Sequence, residues 1–223
     1  MRDTGDARRW HGMALIAAGT HRVCVLDPDD PRCCLKFERP LHERPPAGPR
    51  ERLRRAFGRR FPRFGDNATE WRAWRRLHAR FGDALDERFA RCEALVQMPH
   101  GLALRQRCVT DADGAPAPSL YRLLFERPRH PADALCAAVD RFEAWLLANA
   151  VPLFDLNAGN FVVVERDGAL QLVCIDSKSL LAGKELLPLS RWSRTLLRRK
   201  IARRAARLRQ RIRDALATPT SAP

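Results

Sequence analysis

The sequence at residues 155–176 reads DLNAGN-FVVVER-DG-ALQLVC-ID, and it contains the clearest fold signal in the chain. Two short runs rich in apolar and β-branched residues flank the dipeptide Asp167-Gly168. Asp-Gly between two such runs is typical of a tight β-hairpin, because both central residues of the favoured turn need a positive φ. The segment therefore predicts one β-hairpin.

Three polar residues stand where the predicted strands begin or end. Asp155 lies five residues before Asn160, which precedes the first strand, and Asp176 follows the second strand. Phosphoryl transfer from a nucleotide needs hard oxygen ligands for Mg²⁺ and a carboxylate that orients the attacking hydroxyl. The spacing therefore indicates a kinase-type site, with Asp155 as the catalytic carboxylate. The structural alternative is an Asx-rich turn that caps itself.

The composition indicates a folded, strongly basic protein. The chain has 223 residues, 45% of them hydrophobic, and a formal net charge of +15. This hydrophobic content excludes a mostly disordered chain, and the charge predicts anionic partners: a nucleotide, a nucleic acid or a membrane surface. Arginine supplies nearly all of the positive charge, with 37 arginines against four lysines.

The cysteines and the N-terminus predict a cytoplasmic protein. Seven cysteines form no C-x-x-C pair, and the six histidines lack metal-ligand spacing, so we expect buried reduced thiols rather than a zinc site. The polar N-terminus shows no signal peptide, and no apolar run reaches the length of a membrane span. A peripheral position at the inner face of the membrane is the alternative.

The N-terminal half predicts a small antiparallel sheet. Apolar runs at 13–18, 22–26 and 33–37 are separated by turn residues and predict three strands. A Pro-rich insertion follows at 40–50, and then a basic segment at 50–63.

The remaining elements predict an α+β fold rather than alternating βαβ units. Helices are expected at 68–80, with Asn67 as the N-cap, and at 131–149. Two more strands are expected at 95–98 and 102–109.

Lys36 and Glu70 are candidates for the phosphate-binding part of a nucleotide site. Lys36 is flanked by apolar residues in a predicted strand, and a lysine offers phosphate a compact point charge. Glu70, near the start of the first helix, is one expected partner, and Glu51 is its rival. The alternatives are an exposed strand lysine and a simple first-turn acid. Gly19 and Thr20 are expected to form a turn that covers the phosphates.

Residues 191–216 predict a basic amphipathic helix. Eleven basic residues occupy 191–213 without an acid among them, and apolar residues recur at steps of three and four. Three hypotheses remain open for its basic face: a solvated surface, contact with anionic lipid, or contact with nucleic acid. Few aromatic residues lie in this segment beyond Trp192, which argues against stacking on single strands and places nucleic acid last.

The order and spacing of several short motifs resemble a known family. They are Gly19-Thr20-His21-Arg22-Val23-Cys24, the Asp27–Asp30 turn, Arg32-Cys33-Cys34-Leu35-Lys36, Glu70 with Trp74 and Leu77, Asp111–Gly114 with Ser119-Leu120, Asn160, Val173-Cys174-Ile175-Asp176 and Pro188-Leu189-Ser190-Arg191-Trp192-Ser193. Together they resemble the YrbL family of PhoP regulatory network proteins, which are similar to protein kinases in fold.

The resemblance implies an α+β, two-lobed protein-kinase-like fold with a small antiparallel sheet in the N-lobe and a reduced helical C-lobe. The expected limits are an N-lobe at 8–109, a C-lobe at 110–190 that carries the hairpin, a basic helix at 191–217 and a disordered tail at 218–223.

The resemblance also assigns roles to the site residues. It implies that Lys36 binds phosphate and is held by Glu70, that Asn160 and Asp176 bind Mg²⁺, and that Asp155 is the catalytic carboxylate. Three features depart from the kinase pattern. No His-Arg or His-Gly pair precedes Asp155, Gly19 is a single glycine where a Gly-rich loop is expected, and Ser177-Lys178 follows Asp176 in place of Phe-Gly.

These observations favour an ATP- and Mg²⁺-dependent phosphotransferase with an unknown acceptor substrate. The alternative is a catalytically inactive, kinase-like regulatory protein that acts through its basic helix on a membrane, a protein or a nucleic acid. A nucleic-acid binder that depends on its arginines ranks third.

Overall fold

The computed structural model describes residues 13–45, 65–181 and 193–217. The chain divides into two compact units, the first comprising Met1–Leu85 and Ala90–Cys108, and the second Asp86–Phe89 and Val109–Pro223. The fold is a mixed α+β one, with a small antiparallel sheet and several helices.

The first unit contains a five-stranded antiparallel sheet in the order β1-β2-β3-β5-β4. The three strands predicted in the N-terminal segment are confirmed, and so are the two that follow the first helix. Their bounds are β1 Leu15–Ala18, β2 Arg22–Leu26, β3 Cys33–Glu38, β4 Cys92–Met98 and β5 Gly101–Arg107.

The two faces of this sheet differ in chemistry. Because side chains alternate along a strand, β3 directs Leu35 and Phe37 to one face and Lys36 to the other. Leu35 and Phe37 belong to an apolar cluster with Val23, Val25 and Ala103. Lys36 lies opposite Cys24 of β2 and Leu104 of β5, on the face that also contacts a helix.

That helix, α1, spans Asp66–Phe81, and its predicted N-cap is wrong. Gly65 occupies the N-cap position, and the Glu38 side chain accepts a hydrogen bond of 3.0 Å from the Asn67 backbone N–H. The Asn67 amide instead donates to the carbonyls of Lys36, at 2.8 Å, and Leu102, at 3.1 Å. The Glu38 carboxylate, at the end of β3, thus accepts a backbone N–H at the start of α1. The Asn67 side chain is not needed for capping and instead links the helix to two strands.

The described residues of the second unit form three α-helices and one hairpin. The helices are α2 Leu120–Phe125, α3 Ala132–Ala148 and α4 Arg194–Ala217, and the strands are β6 Phe161–Arg166 and β7 Ala169–Cys174. The predicted hairpin is confirmed: β6 and β7 pair antiparallel, and the turn has φ values of 52° at Asp167 and 71° at Gly168. These positive values are what the Asp-Gly pair predicts.

The apolar core of the second unit brings α3, β7 and α4 together. The Phe142 ring of α3 lies 5.1 Å from that of Phe161 and 5.9 Å from that of Phe89, measured between ring centroids. The basic helix α4 buries one stripe in this unit, made of Leu197, Ile201, Ala205, Leu208 and Ile212. The helix therefore belongs to the core of the second unit through its apolar face.

Several predicted features lie outside the described residues. They are residues 46–50 of the Pro-rich insertion, the basic segment 51–63 with Glu51, the motif residues 188–192 and the tail 218–223. Within the described part of the chain, none of the helices combines the length and the apolar character needed to cross a membrane.

The burial of α4 predicts that its apolar stripe stabilises the second unit. We expect Ile201→Ala to lower the free energy of unfolding by about 2–5 kcal/mol, because Ile201 is fully buried and its loss leaves a cavity. The matched control is Leu196→Ala in the same helix, where the side chain is 44% exposed and we expect little change. Urea unfolding followed by circular dichroism measures both, and equal losses would contradict this packing.

Candidate functional site

A buried ion pair joins β3 to α1 in the first unit. The Lys36 ammonium lies 3.1 Å from a carboxylate oxygen of Glu70, and both residues are buried. The strand places Lys36 on the helix-facing side of the sheet, and the first turns of α1 place Glu70 above it. The structure thus brings together the two residues that the sequence singled out in this unit.

Arg22 is a second cation at the same carboxylate, and the sequence analysis missed its role. Its guanidinium contacts the other oxygen of Glu70 and lies 3.5 Å from the Asn67 side-chain oxygen. The register of β2 and β3 explains why the two cations meet at Glu70. Arg22 pairs with Glu38, which lies two residues from Lys36, so Arg22 and Lys36 lie on the same face of the sheet. Glu70 therefore receives a hydrogen bond on each oxygen.

The charge state of Lys36 follows from two opposing effects. Burial is the largest single effect and would lower the pKa of Lys36, but the Glu70 carboxylate and the Cys34 and Cys24 thiols together hold this pKa above its ordinary value. Lys36 therefore carries its charge at neutral pH. A compact ammonium held by one carboxylate is a suitable donor for a phosphate oxygen.

Gly19 and Thr20 lie in the turn between β1 and β2. The Gly19 N–H donates to the Arg22 carbonyl at 2.9 Å, and the Gly19 carbonyl accepts from the Arg39 guanidinium at 2.8 Å. The backbone N–H of Gly19 is thus used within the turn. A cleft of about 490 Å³ opens beside it, lined by Ala18, Gly19, Thr20, Arg39, Glu43, Arg44 and Pro45. Both arginines of this cleft already pair with carboxylates, Arg39 with Glu43 at 3.3 Å and Arg44 with Glu38 at 3.0 Å.

In the second unit, Asp155 and Asn160 are tied to each other. The Asn160 side-chain amide donates to the Asp155 carbonyl at 3.0 Å, and the Asn157 amide contacts the Asp155 carboxylate. Asn160 ends a short 3₁₀ turn, Ala158–Asn160, and its carbonyl accepts from the Ile175 N–H at 2.9 Å. The hairpin thus brings Asn160 beside the end of β7, where Asp176 follows.

Asp176 is engaged by Lys178, which the sequence analysis noted only as a departure from the kinase pattern. One carboxylate oxygen accepts the Lys178 backbone N–H at 3.2 Å, and the other lies 3.3 Å from the Lys178 ammonium. The side chain of Asp176 is mostly buried. Asp176 and Asn160 offer the carboxylate and amide oxygens that a hard cation prefers.

The structure describes all seven cysteines as free thiols.

Among the described residues, no three histidine, cysteine, aspartate or glutamate side chains are grouped so as to hold a metal ion. Mg²⁺ does not require such a group, because it is usually held by one or two carboxylates together with substrate phosphates. Asn160 and Asp176 are residue types that Mg²⁺ accepts as ligands, and Lys178 engages both carboxylate oxygens of Asp176 in this structure.

The shared carboxylate predicts a large stability cost when it is removed. We expect Glu70→Ala to destabilise the protein by about 3–5 kcal/mol, because two cations lose their common buried partner. Glu126→Ala, which breaks the exposed pair between Arg122 and Glu126, is the control and should change little. Thermal and urea unfolding measure both variants. Equal stability of wild type and Glu70→Ala would contradict this account of the pair.

Comparison with known proteins gives one assignment. No curated protein matches the chain. The family model described as PhoP regulatory network protein YrbL matches residues 11–213, which covers most of both units, with most of α4. The matched region contains Lys36, Glu70, Asp155, Asn160 and Asp176. With nearly the whole chain matched, this protein belongs to the YrbL family of PhoP regulatory network proteins.

Proposed function

We propose that this protein is a kinase-like phosphotransferase that uses ATP and Mg²⁺. The observation that carries the proposal is the buried pair between Lys36 and Glu70. In a chain with 37 arginines, a buried lysine held by a helix glutamate is the arrangement that protein kinases use to position nucleotide phosphates. A five-stranded antiparallel sheet with one long helix supports a kinase-like first lobe.

The second unit supports the same proposal through its hairpin. Asn160 and Asp176 would hold Mg²⁺, which when bound neutralises charge on the transferred phosphoryl group. Asp155, five residues before Asn160, is proposed to accept the proton of the acceptor hydroxyl. The hydrogen bond from Asn160 to the Asp155 carbonyl fixes the backbone between these two positions.

A second candidate function is a catalytically inactive, kinase-like regulator. The observation that favours it is the Lys178 ammonium 3.3 Å from Asp176, a cation beside the carboxylate proposed to bind Mg²⁺. No His-Arg pair precedes Asp155, and Ser177-Lys178 stands where Phe-Gly follows a kinase metal aspartate. Such a protein would act on its partners through the basic helix α4.

Nucleotide binding is the first test of the proposal. At a free Mg²⁺–ATP concentration of about ten times the Kd, binding contributes roughly 1.4 kcal/mol and should raise the melting temperature by about 3–5 °C. We expect Asp176→Asn to lose the Mg²⁺-dependent part of this shift. Asp167→Asn is the matched control, because it makes the same change in the hairpin turn and should keep the full shift. A wild-type protein without any shift for ATP or ADP would contradict the proposal.

Phosphoryl transfer separates the two candidate functions. We expect Asp155→Asn to lower the rate of ADP formation by about 10²–10⁴-fold while the affinity for ATP stays within a few fold, because the carboxylate acts on the acceptor hydroxyl. Coupled-enzyme detection of ADP, beside a direct binding assay, measures both quantities. A wild type that binds ATP but forms no ADP, with water or any hydroxyl acceptor supplied, would favour the inactive regulator.

A further inference from the structure

The helix α4 carries a row of four exposed arginines on one side. Arg199, Arg203, Arg207 and Arg211 follow one another at steps of four residues, and each is exposed. Side chains four apart lie roughly 6 Å from each other on a helix surface, so the four guanidinium groups extend along roughly 18 Å of the helix. We refer to these four residues as the arginine row.

Three of the four arginines in the row have no ion-pair partner among the described residues. No ion pair joins Arg199, Arg203 or Arg207 to a carboxylate in the described part of the chain. Arg209, on another side of α4, pairs with Asp140 at 2.7 Å and Glu143 at 2.6 Å. The sequence outside the described ranges contains twelve basic residues against four acidic ones, so it brings more positive charge than negative. A polyanionic partner would supply the charge that the row lacks.

Two exposed aromatic side chains lie at one end of the row. Tyr121 and Phe125 of α2 are 45% and 44% exposed, and their ring centroids are 5.0 Å apart. The Arg211 guanidinium lies 5.4 Å from the centroid of the Phe125 ring. The sequence analysis counted few aromatic residues near the basic helix, and the fold supplies this pair from another element. We refer to Tyr121 and Phe125 as the aromatic pair.

We propose that the arginine row and the aromatic pair form a binding surface for single-stranded nucleic acid. The planar guanidinium groups would bind successive backbone phosphates, and an exposed aromatic face would stack a base next to Arg211. Binding of single strands without sequence preference requires cations that follow the backbone and aromatic rings that stack the bases. The arginine row would supply the first and the aromatic pair the second. The proposal goes beyond phosphotransfer and involves none of the residues assigned to the nucleotide site.

The packing of α4 argues against an anionic membrane as the partner. A helix that lies in a membrane interface buries its apolar face in the lipid. In α4 that face, from Leu197 to Ile212, is buried within the second unit instead. A membrane would therefore meet the basic side of the helix, without an apolar helix face that could enter the lipid.

The experiment compares two triple variants that remove equal charge from α4. In the row variant, Arg199, Arg203 and Arg207 become Gln, and in the control variant the exposed Arg194, Arg198 and Arg213 become Gln. Fluorescence anisotropy with an oligouridine of about 12 nucleotides measures the affinity over a range of salt concentrations. We expect the row variant to reduce the slope of log K against log salt by about 2, since three phosphate contacts are lost. The control variant should bind within a few fold of wild type.

The aromatic pair provides an independent test without a charge change. We expect Phe125→Ala to weaken oligouridine binding about tenfold and to leave the salt slope unchanged, because a stacking contact is lost and no phosphate contact is. Circular dichroism and an unchanged urea unfolding midpoint establish that each variant is folded. If the row variant does not fold, ultraviolet crosslinking of the wild type to oligouridine should label residues 121–125.

Several outcomes would overturn the proposal. Equal losses in the row and control variants would indicate diffuse attraction by net charge rather than a binding surface. Full affinity in Phe125→Ala, or crosslinks confined to residues outside α2 and α4, would exclude the aromatic pair. Binding to phosphatidylglycerol vesicles but not to oligouridine at about 150 mM salt would identify a membrane surface. Since none of these outcomes depends on ATP, they are distinguishable from a failure of the phosphotransfer proposal.

Discussion

Glu70 holds the first unit together where α1 meets the sheet. A carboxylate without access to water is costly unless both oxygens are satisfied, and here Lys36 satisfies one and Arg22 the other. Each cation comes from a different strand, so the ion pairs also fix the register of β2 and β3 beneath the helix. The amide of Asn67 adds hydrogen bonds to two strand carbonyls. The position of Lys36, on which the proposed nucleotide chemistry depends, follows from this one buried carboxylate.

The second unit is held together by apolar packing, because its hairpin and its helices share one small core. The aromatic rings of Phe89, Phe142 and Phe161 fill this core, and α4 closes one side with its apolar stripe. Packing α4 in this way uses the apolar face of the helix and leaves the arginine row exposed. The same helix therefore contributes to stability through one face and to the proposed binding surface through the other.

Sequence patterns predicted an element correctly where the local pattern is compatible with only one type of secondary structure. Asp167-Gly168 predicted the hairpin because few other residue pairs adopt two positive φ values in succession. The repeat from Leu197 to Ile212 predicted α4, because an apolar stripe at helical spacing forms a helix wherever it can be buried. The prediction of Asn67 as the N-cap was wrong because Glu38, which is distant in sequence, accepts the hydrogen bond at the helix terminus. A capping rule based on neighbouring residues does not take into account acceptors from distant parts of the chain.

The sequence alone was enough to establish most of the elements, the basic character of α4 and the residue types of the candidate site, since these depend on composition and on spacing along the chain. The short helix α2, Leu120–Phe125, was not predicted. Tertiary packing was needed to place Arg22 on Glu70, Lys178 on Asp176 and the aromatic pair beside Arg211. The first and third of these contacts join residues of different elements, and the second depends on the bend of the chain after β7. Charge pairing and stacking act through space, so only the folded chain shows which of many possible partners each group meets.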